Sequence, residues 1–142
     1  MRDIKFRAFD KETKTMVHPE DTRYALSLIN GEWSLSDYAQ LEYETDEYGL
    51  YDIELPHETS GIEVMQYTGR KDSEGNEIYE GDILQNEHYF KYQVVFKGDC
   101  WRCESLKNSR FKNRFIGRDL KVIGNIYKNP ELLEDDNETP RY

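Results

Sequence analysis

Between Val64 and Leu84 the chain reads Val-Met-Gln-Tyr-Thr-Gly-Arg-Lys-Asp-Ser-Glu-Gly-Asn-Glu-Ile-Tyr-Glu-Gly-Asp-Ile-Leu. Two short apolar-aromatic runs, Val64 to Tyr67 and Ile78-Tyr79, flank a charged loop with glycine at 69 and 75. Runs this short, bounded by glycine and charge, suit strands rather than helices. Gly81-Asp82 then forms a second tight turn that opens onto Ile83-Leu84. A chain punctuated this often builds short strands joined by hairpins, which narrows the fold class at once.

The same rhythm recurs along the chain. Ile4, Phe6 and Ala8 alternate with Lys5 and Arg7, the period of a strand with one buried face, and Met16-Val17 begins the returning strand. Leu26 to Ile29, then Asn30-Gly31, then Glu32 to Leu35 is a hairpin, because Asn-Gly accepts the positive φ angles of a type I′ turn. Tyr89 to Phe96 and Trp101 to Leu106 read as strands on either side of Lys97-Gly98-Asp99. Leu120 to Ile123 and Asn125 to Tyr127 read as two more, broken at Gly124. Asn129-Pro130-Glu131 predicts a helical turn with Asn129 as its cap, docked through Leu132-Leu133. Residues 36–60 give weaker signals. Asp37 is expected to cap a short helix with Tyr38, Leu41 and Leu50 inward, and Pro56 to Gly61 to form a linker. The pattern predicts a mainly β (β-rich α+β) fold. Residues 1–60 form an acidic N-terminal β-hairpin lobe, 61–130 a small SH3-like β-barrel, and 131–142 an acidic tail opening on the helical turn.

Charge is unevenly placed. Residues 1–60 hold 6 Lys+Arg against 14 Asp+Glu, residues 61–130 hold 12 against 10, and residues 131–142 hold 1 against 5, which returns the net charge of −10. Such a balance favours solubility and opposes non-specific binding to nucleic acid or anionic membrane. Eleven tyrosines argue against disorder, which needs low hydrophobicity as well as high charge. No stretch approaches the roughly 18 apolar residues that span a bilayer. The alternating N-terminus lacks the continuous apolar run of a signal peptide. A cytoplasmic protein with no membrane partner is expected.

Candidate chemistry is sparse. Cys100-Trp101-Arg102-Cys103 is a CxxC, but it follows a Gly-Asp turn in strand-rich sequence, whereas a redox CxxC opens a helix. A structural zinc site needs about two further ligands, and only His18, His57 and His88 are on offer. Two reduced thiols in or near a strand are expected. The loop from Arg70 to Gly81 places Asp72 and Glu74 where a calcium loop has ligands. Arg70 and Gly81 then occupy its first and last positions, where acids belong, so a solvated hairpin loop is expected instead. No phosphate-cradle or nucleophile motif occurs. The expectation is no enzyme, no catalytic residue, no metal and no cofactor. One feature remains. Arg102, Lys107, Arg110, Lys112, Arg114, Arg118 and Lys121 stand against Glu104 and Asp119, with Phe111 and Phe115 interleaved. Cations can neutralise phosphates while aromatics stack on bases. The plainer reading is a solvated strand pair whose phenyl rings face the core.

Three blocks carry a family resemblance: Ile4 to Asp10 with Met16-Val17, Val64 to Gly69 with Lys71-Asp72 and Gly75 to Ile83, and Val122 to Tyr127 with Asn129 to Leu132. In order and spacing they resemble the YopX family of bacteriophage and prophage proteins, with Phe9 where the family commonly has tryptophan. The resemblance implies a small, mainly β protein made in a bacterial host cell. It carries no catalytic residue and no assigned site. The expected role is a non-enzymatic accessory protein that binds a host or phage protein. The alternative is a nucleic-acid-binding module using residues 102–121, and self-association through an exposed strand stays open.

Overall fold

The computed structural model describes residues 2–38, 61–106 and 113–134, together with the strand backbone at 43–45, 51–53 and 57–59. The chain divides into two compact units: Phe6–Val64, and Met1–Lys5 with Met65–Tyr142. Both are built of strands, as the sequence predicts.

In the first unit, β1 (Phe6–Asp10) pairs antiparallel with β2 (Thr15–Val17), Ala8 opposite Val17. The expected one-sided burial of β1 does not hold. Arg7, Ala8, Phe9 and Asp10 are all buried and Ile4 is exposed, so the strand is covered on both faces. Asp10 tolerates this because its carboxylate accepts the N–H groups of Glu12 and Thr13 in the turn that follows.

β3 (Tyr24–Ile29) and β4 (Glu32–Asp37) form the predicted hairpin, with Asn30 at φ 52° and Gly31 at φ 83° as a two-residue turn requires. The chain enters a 3-10 turn at Tyr38, directly after Asp37. Asp37 ends β4, and Arg23 holds its carboxylate in a two-pronged pair at 2.8 and 2.7 Å, leaving Tyr38 exposed. β5 (Tyr43–Thr45) pairs with β6 (Tyr51–Ile53), and β7 (His57–Thr59) adds to β4 where a linker was expected. The positions Leu41 and Leu50 lie outside the described residues.

β8 (Ile62–Lys71) starts in the first unit and continues in the second, where it pairs with β9 (Glu77–Tyr79). The loop between them is not simply solvated. Asp72 is 8% exposed. Its Oδ1 accepts the N–H groups of Glu74 and Asn76 at 2.9 and 2.8 Å, and its Oδ2 accepts the Asn76 carboxamide at 3.2 Å and the Val122 N–H at 2.9 Å. The last bond reaches fifty positions along the chain, from the loop to β14 (Lys121–Asn125).

The remaining strands are β10 (Asp82–Gln85), β11 (Lys91–Lys97), β12 (Cys100–Ser105) and β13 (Asn113–Arg114). They form one curled sheet with β14 in the order β13-β12-β11-β10-β14. Asp82, Ile83 and Leu84 are all buried in succession, so β10 is covered on both faces. The core gathers Leu84, Tyr92, Val94, Cys103, Ile116 and Leu120 around Ile78 and Phe90. Each fully buried aliphatic side chain there contributes about 1.5–3 kcal/mol.

Residues 120–127 differ from expectation. They give one strand, not two, and its register against β10 slips between Ile83 and Leu84, which pair with Gly124 and Val122. The chain then turns into a 3-10 helix at Pro130–Leu133. Asn129 does not cap it. Its carboxamide oxygen instead accepts the N–H of Asn125 at 3.2 Å, closing the turn backward.

Gly124 lies under that turn. A Cβ there would sit 2.5 Å from Leu132 Cδ1 and 2.8 Å from Asn129 Oδ1. Gly124→Ala is expected to cost about 1–3 kcal/mol, measured by urea unfolding, and Leu132→Ala in the same chain to recover part of it.

Asp72→Asn turns one acceptor oxygen into a donor facing N–H groups, at an expected cost of about 1–3 kcal/mol. Burial pushes the Asp72 carboxyl up. The N–H groups of Val122 and Asn76, the Asn76 carboxamide and the Glu74 N–H together hold it below its ordinary value. A group lowered on folding stabilises fully above its unfolded pKa and loses that contribution as pH falls through the folded one. The difference between wild type and Asp72→Asn should therefore be constant near neutrality and shrink below about pH 4.

Candidate interaction surface

The basic stretch lies on β12, β13 and the turn that follows, and strand geometry sorts its side chains. β12 pairs with β11 so that Trp101 faces Phe96 and Cys103 faces Val94, while Arg102 faces Val95 and Glu104 faces Gln93. Successive side chains point to opposite faces of a sheet. Trp101, Cys103, Phe96 and Val94 therefore share the core side, and Arg102, Glu104, Val95 and Gln93 share the other. β13 extends the pattern, with Arg114 beside Cys103 and Asn113 beside Glu104.

Arg114 is thus drawn to the core side. Its guanidinium lies 5.6 Å from the Tyr92 ring centroid and donates to both carboxylate oxygens of Asp119, Nη1 to Oδ2 at 2.9 Å and Nη2 to Oδ1 at 2.7 Å. The Arg114 hydrogen bonds hold the Asp119 carboxyl below its ordinary value. Phe115, one residue on, turns the other way. Its ring is 69% exposed, with the Arg102 guanidinium 5.3 Å from its centroid. Arg102 is steadied from behind, where its Nε donates to Cys100 Sγ at 3.2 Å. On the same face Lys97 pairs with Glu104 at 2.9 Å. On the core side, Trp101 meets Phe96 edge-on at 5.0 Å at the margin of the sheet.

Of the residues singled out by sequence, Arg102 and Phe115 are brought together, and Arg114 is separated from them and neutralised by Asp119. Arg118 and Lys121 are exposed, Lys121 at the start of β14, the opposite edge of the sheet from β13. Lys107, Arg110, Phe111 and Lys112 lie outside the described residues. The phenyl ring expected to face the core at 115 faces solvent instead. Two interactions escaped the sequence reading, the Arg114–Asp119 clamp and the Arg102–Phe115 stack. The i, i+5 spacing of Arg114 and Asp119 across Gly117 was the available signal for the first.

The two thiols are free, as expected, and lie in β12. Three residues apart on a strand, they point to opposite faces and stand roughly 10 Å apart along the chain, beyond the span of a disulfide or of one shared metal ion. Among the described residues no group of three His, Cys, Asp or Glu side chains is placed to hold a metal. In the first unit a cavity of about 70 Å³ is lined by Phe6, Arg7, His18, Asp21, Tyr24 and Leu26, among others. Arg7 occupies an outward position in the period-two pattern of β1, yet it lines this cavity.

The three motif blocks fall on the β1–β2 hairpin, on β8–β9–β10, and on β14 with its 3-10 turn. The family model YopX protein matches residues 5–134. This chain belongs to the YopX family. The chain is similar to the solved structure of protein EF1440 from Enterococcus faecalis, 25% identical, covering 94% of this chain and 100% of that one at a TM-score of 0.62. No curated protein matches the chain. The YopX match spans both units, and the strand-rich architecture is shared with EF1440. Within the described residues no helix is long and apolar enough to cross a membrane.

Burial pushes the Cys103 thiol up to about 11 and leaves it 0% exposed, whereas Cys100 is half-buried. Iodoacetamide applied to the native YopX protein at neutral pH should label Cys100 alone, with Cys103 labelled only after unfolding, read by peptide mass spectrometry.

Proposed function

We propose that this YopX protein is a non-enzymatic accessory protein of a phage or prophage, acting in the bacterial cytoplasm by binding a host or phage protein. The observation that carries the reading is Phe115, an exposed phenyl ring with an arginine stacked on it. Aromatic residues and arginine dominate the energetics of protein interfaces. Burying such a ring contributes about 1.5–3 kcal/mol, and a guanidinium already aligned on it loses little freedom when a partner arrives. The surrounding charges favour a protein over a phosphate backbone. Lys97 is offset by Glu104 on the ring's side of the sheet and Arg114 by Asp119 on the other, so two cations of this sheet carry their own counter-charges.

A nucleic acid is the second reading. It rests on the exposed Arg118 and on Lys107, Arg110 and Lys112 in the segment that joins β12 to β13.

One experiment separates them. Tagged protein recovered from lysogenic cells should carry a specific protein, and Phe115→Ala and Arg102→Ala should each reduce its recovery at least tenfold without altering the fold. Equal recovery by wild type and both variants counts against the reading. In parallel, binding to mixed DNA and RNA is expected to be undetectable at low salt. Affinity that falls steeply with salt and weakens in Arg110→Ala would favour nucleic acid.

A further inference from the structure

β3 forms one edge of the three-stranded sheet β3-β4-β7. The turn at Asn30-Gly31 fixes how its backbone points. In a two-residue hairpin the pair flanking the turn, Ile29 and Glu32, exchanges hydrogen bonds, and so does every second pair beyond it: Ser27 with Ser34, Ala25 with Ser36. The bond from Tyr38 N–H to Arg23 C=O at 2.9 Å continues the series. Leu26 and Leu28 fall between these pairs. Their N–H and C=O groups point away from β4, as does the C=O of Tyr24. Among the described residues no strand lies on that side.

The strand carries none of the devices that keep an edge from pairing. Its sequence, Tyr-Ala-Leu-Ser-Leu-Ile, has no charge and no proline, and its register with β4 runs unbroken from Tyr24–Asp37 to Ile29–Glu32. It ends in two exposed aliphatic residues, Leu28 at 55% and Ile29 at 61%.

We propose that β3 pairs antiparallel with β3 of a second copy of this chain, about a two-fold axis at Leu26. Outward-pointing residues must oppose one another for the bonds to form. Leu26 then faces Leu26 of the second copy, and Tyr24 faces Leu28. On the other face Ala25 meets Ser27, two small side chains that fit without clash. The arrangement is self-complementary, as a two-fold contact requires, and it places apolar pairs on one face. Charge argues for a second copy over a foreign partner. The chain carries −10, yet this seam carries none, and the nearest cation, Arg23, is already paired with Asp37. Two acidic molecules can meet here without like charges in opposition, and nothing in the seam selects a charged partner. A contact about 20 Å long and one strand wide falls short of the roughly 1,000 Å² of a stable interface, so the dimer is weak and concentration-dependent.

Sedimentation equilibrium of the full chain, from micromolar to near-millimolar concentration, tests this. The expected result is a reversible dimer whose dissociation constant rises at least tenfold in Leu28→Lys, with circular dichroism unchanged because the position is exposed. Leu26→Cys, oxidised at high concentration, should give a covalent dimer in which mass spectrometry finds residue 26 joined to residue 26. That readout stands even if the lysine variant folds poorly. A monomer at every concentration overturns the proposal. So does a dimer that Leu28→Lys leaves intact and that yields no 26-to-26 link, or a chain that stays monomeric while another protein's strand occupies β3.

Discussion

One carboxylate ties the second unit together. Asp72 accepts four hydrogen bonds, three within its own loop and one from Val122 on the last strand of the curled sheet. The first three fix the loop that lets β9 pair with β8. The fourth secures β14 to that loop, and β14 in turn is hydrogen-bonded to β10, the strand covered on both faces. Burying a carboxylate is costly unless its lone pairs are filled. Here amide N–H groups fill them, and those groups would otherwise be left unpaired in the turn and at the sheet edge.

The same physics shapes the outer surface. A run of basic residues reads in sequence as one positive region. Strand alternation splits it, sending Arg114 toward the core with Asp119 and leaving Arg102 outside on Phe115. Local net charge thus overstates the field available to a ligand, because part of it is spent on ion pairs within the sheet. What reaches solvent at Phe115 is an aromatic ring with a cation across its face.

Much of the fold was legible because turn chemistry is local. Asn30-Gly31 predicted the turn of its hairpin to the residue, with each strand running two residues further than expected, and Gly81-Asp82 predicted the strand after it. The failures share a cause, a distant partner that overrides a local preference. Arg7 sits at an outward position of a period-two pattern, yet β1 is covered on both faces. Asp72 sits in its loop like a ligand of an ion, and the N–H of Val122 that it accepts cannot be anticipated from the loop. The surface was less legible than the fold. Which of Arg102, Arg114 and Phe115 shares a face depends on the register of β12 with β13, and two-residue strands leave almost no pattern to read.

The division of the chain has a consequence for its synthesis. The first unit is an insertion, because the second is assembled from residues 1–5 and 65–142. Lys5 from the leading segment reaches Glu77, and the sheet is complete only once β14 pairs with β10. On a ribosome, Phe6–Val64 has emerged while Tyr67 and Glu77, the partners of Lys5, are still unmade. The first unit therefore has a head start on the second. The β3 edge proposed to pair with a second copy belongs to this earlier unit, so the order of translation sets when like could first meet like.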